Sequence, residues 1–199
     1  MNGIPGFIAQ VNGHLRALAL TGIDRDLIYY LQEEAENQRV HLISYLDLKN
    51  PSQFFRSMII FSSSFQGFFY FLINIFMPKL GHKIAANLYI QGINTYDKLI
   101  KEINQENSPV SHWKTEKAPE ISRKYYNLGP NGTLEDMVFS IRKDQEFFIK
   151  FNQYLGENFS SGMKGQQVEK IKEFMPIFKP AYPEEFVKEQ QLKQQQKNN

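Results

Sequence analysis

The sequence predicts an all-α fold, a helical bundle with additional membrane-associated helices. Three observations point there. Ile4, Phe7, Ile8, Val11, Leu15 and Leu18 recur at the spacing of one helix face. From Ser57 to Pro78 there is no charged residue, and Arg56 and Lys79 flank the stretch. The segment Glu33 to Leu42 sets Gln38 and His41 three residues apart, on one face of a helix.

Each element follows from local chemistry. The first helix carries the Ile4–Leu18 stripe and ends at Thr21-Gly22. Asp24 can cap a second helix that runs to about Leu48. Asn50-Pro51 breaks the chain. The uncharged stretch that follows, Ser57 to Pro78, is long enough to cross a bilayer. Ser62, Ser63, Ser64, Gln66 and Asn74 equally suit a helix lying flat in one leaflet, or one packed in a bundle core. A fourth helix is expected from about Lys79 to Asn104. Pro109, Pro119, Gly129-Pro130 and Asn131-Gly132 mark a loop region with one short helix inside it. Thr133-Leu134-Glu135-Asp136 reads as a capping start for a last long helix reaching about Leu155. Residues 156–165 read as loop, and three prolines between Pro176 and Pro183 forbid a regular helix. The Glu-, Lys- and Gln-rich end, to Asn199, is too polar to fold by itself. The domains are therefore expected at 1–160, a helical bundle, and 161–199, an extended tail.

Composition narrows the chemistry. The 199 residues suffice for one domain with a sizeable core, and 17 phenylalanines enrich it in aromatics. A formal charge of +2 with scattered Lys and Arg, and no basic stripe interleaved with aromatics, gives no argument for nucleic acid. With no cysteine there is no disulfide, thiolate nucleophile or iron–sulfur cluster. The first ten residues carry no charge and match neither a secretory leader nor an Arg-rich transit peptide.

A two-iron site in a bundle needs Glu and His three residues apart on each of two helices. Here the residues three before His14, His41, His82 and His112 are Val11, Gln38, Lys79 and Pro109. No Glu-x-x-His occurs, so His41 reads as a packed or hydrogen-bonded residue. Glu33, Glu34 and Glu36 with Arg39 read as a solvated helix face with local ion pairs.

Several motifs resemble one family. Pro5-Gly6, Glu33-Glu34-Ala35-Glu36-Asn37-Gln38-Arg39-Val40-His41-Leu42, Gln66-Gly67-Phe68-Phe69-Tyr70, Pro78-Lys79 with His82, Thr95-Tyr96, Thr133-Leu134-Glu135-Asp136 and Arg142-Lys143-Asp144-Gln145 are collinear with motifs of the mitochondrial alternative oxidases. That resemblance covers about three quarters of the chain. It implies a ferritin-like four-helix bundle attached to a membrane, which in the family holds two irons, oxidises ubiquinol and reduces oxygen. The positions resembling the iron ligands read Gln38, His41, Tyr89, Gln145 and Phe148, and the first ligand would fall before Met1. Of six ligands only His41 is kept.

The resemblance with these departures implies a dismantled site with no metal and no cofactor. Gln38 and Gln145 keep the shape of Glu without its charge, and Tyr89 and Phe148 are expected to fill the space left by iron. The two amides are expected to bond to each other, to Tyr89 or to Tyr96. Asp144 with Arg142, and Glu36 with Arg39, are expected as structural ion pairs. The expected role is non-catalytic: an accessory subunit of a respiratory-chain complex in the mitochondrial inner membrane, on the matrix side. Its partners would be other subunits of the complex and membrane lipids. The alternative is a quinone- or lipid-binding module without oxidase activity, with Thr95 and Tyr96 contacting ubiquinone.

Overall fold

A computed structural model of the chain describes residues 3–19, 25–160, 163 and 166–174. Seven α-helices follow one another among them: α1 (Gly3–Leu18), α2 (Arg25–Lys49), α3 (Gln53–Phe76), α4 (Pro78–Asn104), α5 (Glu120–Tyr125), α6 (Leu134–Asn158) and α7 (Gln166–Phe174). A single 3-10 turn, Ser111–Lys114, and an isolated bridge between Lys117 and Thr133 lie in the α4–α6 connection. The all-α expectation is met.

The boundaries have visible causes. Ser52 accepts from the Phe55 amide at 3.3 Å and starts α3. Met77 leaves the helical region, Pro78 takes the first position of α4, and the Tyr70 hydroxyl donates to the Gly81 carbonyl at 2.7 Å across the break. Thr133 and Asp136 form a full capping box at the start of α6. Thr21, Gly22 and Asp24, expected to end α1 and cap α2, lie outside the described residues, as do Pro176–Pro183 and the tail beyond.

Helix α4 packs against α6, α1 packs against α2, and α3 packs against α1 and α4. Two apolar clusters fill the interior. One gathers Leu27, Leu31, Tyr89, Phe148, Phe151 and Leu155. The other gathers Ile103, Trp113, Leu134, Met137, Val138 and Ile141. On α2 and α6 the residues between the two clusters are polar and buried: Glu34, Asn37, Gln38, His41, Asp144 and Gln145. That layer positions the site.

One expectation is corrected here. Residues 156–158 are helical rather than loop, because Gly156 is where α6 meets α4 closely. A Cβ there would stand 2.8 Å from Lys83 Cγ and 3.4 Å from the Lys83 backbone nitrogen. Glycine serves a close approach, not a turn. The Gly156→Val variant should therefore lose about 2 kcal/mol of stability, measured by denaturant unfolding, since its branched side chain meets backbone. An unchanged midpoint would refute the close contact. Beyond residue 160, Met163, Val168 and Ile171 are buried and join the first cluster.

Helix α3 is long and apolar enough to cross a membrane, yet only 17% of its most apolar window is buried. That removes the bundle-core alternative. Gly67, Tyr70 and Asn74 face the protein, whereas Phe54, Phe61, Phe65, Phe68 and Phe76 are exposed.

Candidate functional site

The residues at the ligand-like positions do converge. Gln38 and His41 project from α2, Tyr89 from α4, and Gln145 and Phe148 from α6, and all five are buried. Tyr89 and Phe148 lie with ring centroids 5.6 Å apart, filling the middle of the bundle with carbon. The Tyr89 hydroxyl donates to Glu34 Oε1 at 2.5 Å, and Asn152 Nδ2 donates to the same oxygen at 2.8 Å. Asn152 Oδ1 in turn accepts from His82 Nδ1 at 2.8 Å. A chain of side chains thus links α2, α4 and α6.

Glu34 is the residue that sequence reading missed. It was placed on a solvated face with Glu33 and Glu36, but it has no exposed surface. Burial pushes its carboxyl up to about 7, against the opposing pull of the Tyr89 and Asn152 hydrogen bonds. Its Oε2 has no hydrogen-bond partner among the described residues. The signal was present in the helical phase: Leu27, Leu31, Glu34, Gln38 and His41 fall on one face of α2. Glu36 and Arg39, one step round the helix, form the exposed pair that was expected, at 2.5 and 2.7 Å.

A second group surrounds Asp144. Its Oδ2 accepts from Asn37 Nδ2 at 2.5 Å and from the Tyr126 hydroxyl at 2.6 Å. His41 Nε2 lies 2.6 Å from the Tyr126 hydroxyl and 3.6 Å from Asp144. Burial, and then the neighbouring Asp144, push the Tyr126 phenol far above its ordinary range. The expected Asp144–Arg142 pair does not form, because α6 turns Asp144 inward while Arg142 pairs outside with Asp97 and Glu146. His82 is also buried, and that burial pushes its imidazole down to about 4, so the ring is neutral at physiological pH.

Tyr89 donates its hydroxyl to Glu34, and Gln38 Nε2 makes no hydrogen bond among the described residues. Tyr96 sits in the second cluster beside Tyr45, whose phenol burial pushes up. Thr95 is exposed and bonds back to the Gln91 carbonyl of its own helix at 3.0 Å. The two residues expected to contact ubiquinone therefore point to different environments.

Residues 1–157 match the alternative oxidase family. The chain belongs to it. Among its relatives, the mitochondrial alternative oxidase of Emericella nidulans is 32% identical over 157 residues, which are 77% of this chain and 43% of that protein. The Aspergillus niger enzyme is 33% identical over 158 residues, 77% and 44% of the two chains. Ubiquinol oxidase 1a, mitochondrial, of Oryza sativa is 30% identical over 170 residues, 82% and 48%. The chain spans less than half the length of these relatives. They overturn the expected non-catalytic role: each is named as an oxidase and none as an accessory subunit, so neither the accessory subunit nor the inactive binding module stands.

The family implies a pair of irons, and the donor set decides whether they fit here. Two irons need several anionic oxygens to balance their charge. The converging positions offer one imidazole, two neutral amides, a phenol bonded to Glu34 and a benzene ring. The nearby carboxylates Glu34 and Asp144 hold other partners, and no described group of three His, Asp or Glu residues could hold a metal. The described residues do not fit an iron pair.

Proposed function

We propose that this alternative oxidase family chain serves ubiquinol oxidation at the mitochondrial inner membrane, docked on one leaflet through α3. The oxidase role is supported by the relatives named above rather than by His41 and its neighbours.

The observation that carries the membrane part is the bare apolar face of α3. Its exposed phenylalanines form a surface far larger than the single apolar residues ordinary for a soluble protein. The opposite face, with Gly67, Tyr70 and Asn74, packs on the bundle, and the Asn12 amide donates to Asn74 Oδ1 at 3.1 Å. We place this helix of about 36 Å, which packs on the bundle through Gly67, Tyr70 and Asn74 in its C-terminal half, in the plane of one leaflet. Phe7, Leu15 and Leu18 on α1 are exposed as well.

Membranes carrying the natural protein should take up oxygen when supplied with ubiquinol, faster than membranes lacking it. Uptake at the background rate, with the protein present in the membrane fraction, would overturn the oxidase reading. Recovery of the protein in the supernatant after membrane sedimentation would overturn the docking.

A further inference from the structure

At the turn from α3 into α4 the surface opens into a groove of about 550 Å³, walled by Met77, Leu80 and Phe159 and rimmed by Lys79, Lys83 and Ser160. We propose that this groove binds the headgroup of an anionic phospholipid, an inference that rests on the leaflet docking described above.

The groove has two chemically distinct parts. Its floor is apolar, and it continues into the exposed ridge of Phe76, Met77 and Leu80 at the end of α3. Its rim is cationic. Lys79 and Lys83 are one helical turn apart on the same side of α4, both exposed. Neither makes an ion pair among the described residues, whereas Arg39, Lys124 and Arg142 on other helices are each held by a carboxylate. Glu157, the acid next to the Gly156 contact, is exposed and pairs with neither lysine. The α4 turn carrying the lysines is fixed in place by that contact, which sets Gly156 against the Lys83 backbone.

A third cation stands behind the Phe159 wall. Arg16 lies 5.5 Å over the Phe159 ring and donates to the Ile75 carbonyl at 3.1 Å, across the last turn of α3. The positive potential at this corner therefore comes from α1 and α4 together. It lies where a helix buried in one leaflet would emerge at the headgroups.

This pairing of an apolar floor with a cationic rim selects among anions. A phospholipid places its phosphate against the lysines and its glycerol and first methylenes on Met77, Leu80 and Phe159. The lysine stems lie on the same apolar surface with their ammonium groups at the phosphate level. A free phosphate gains nothing from the floor. A zwitterionic headgroup brings its own cation against the rim.

The test is flotation of the full chain with phosphatidylcholine vesicles and with vesicles in which a minority of the lipid is phosphatidylglycerol. Binding should be clearly tighter to the second. The Lys79→Ala/Lys83→Ala variant should lose about 30-fold in its affinity for the anionic vesicles, about fivefold for each lysine, and little for the neutral ones. A control variant, Lys98→Ala/Lys101→Ala, removes the same charge further along α4 and should bind as the natural chain does. Equal binding of the natural chain to both vesicles would overturn the headgroup site while leaving the docking intact. An equal loss in the control variant would overturn it in favour of net charge. Competition by millimolar inorganic phosphate would overturn it in favour of a free-anion site. Failure to float with either vesicle would instead count against the docking.

Discussion

Replacing Asp144 by alanine is expected to lower the stability of the folded chain by about 3 kcal/mol, or about 10 °C in melting temperature. Asp144 is 4% exposed and gathers donors from two other elements, Asn37 on α2 and Tyr126 after α5. Its removal leaves two buried donors competing for His41 and Tyr125, with a cavity beside them. Asp144→Asn keeps the volume and one acceptor, so it should lose about half as much. Equilibrium unfolding of both variants checks the pair. An alanine variant as stable as the natural chain would show that this polar layer contributes nothing to folding.

The second large effect concerns Glu34 and depends on pH. Its folded carboxyl titrates near 7, against an ordinary value of 4.5. Below about pH 4.5 both folded and unfolded chains hold the proton, and no penalty arises. Between 4.5 and 7 the folded chain holds a proton that the unfolded chain has released, so stability falls as pH rises. Above 7 the buried carboxylate is charged in both states, and the full cost of about 3 kcal/mol has been reached. Glu34→Gln keeps the acceptor for Tyr89 and Asn152 and removes the ionisation. It should be more stable than the natural chain by up to about 3 kcal/mol at pH 8, and equal to it near pH 4.5. His82, held down to about 4 by burial, acts in the opposite sense as pH falls from about 6.5. Because His82 is present in both chains, the comparison isolates Glu34. A difference that does not change with pH would refute the assignment.

The helices were legible because their signals are local. The Ile4–Leu18 stripe, the Asn50-Pro51 break and the Thr133 box each fix a boundary without help from the rest of the chain. The extension of α6 past Gly156 was not legible, because that glycine is needed by the approach of α4, seventy residues away in sequence. Glu34 was hidden for a related reason. Three glutamates in four residues look like a solvated face, and only the partners Tyr89 and Asn152 from other helices distinguish the buried one. The five ligand-like positions were named by the family resemblance, and their hydrogen bonds were not readable from the sequence. Tyr89 had two candidate amides and an unrecognised carboxylate, and the carboxylate accepts its hydrogen bond. The family's activity led the sequence reading astray from the opposite direction. Residue chemistry at one site argued for a silent protein, whereas the relatives named above are oxidases.

The layer between the two apolar clusters has one more consequence. Aliphatic helices can slide past one another by a turn and still find grooves to fill, because Leu on Leu discriminates poorly between neighbouring arrangements. Tyr89 bonded to Glu34, and Asn37 bonded to Asp144, do not allow it. A slip of one turn would carry each donor about 5.4 Å from its acceptor and strand both in carbon. These few polar atoms thus act as pins, selecting one alignment of α2, α4 and α6 from several that would bury almost the same area.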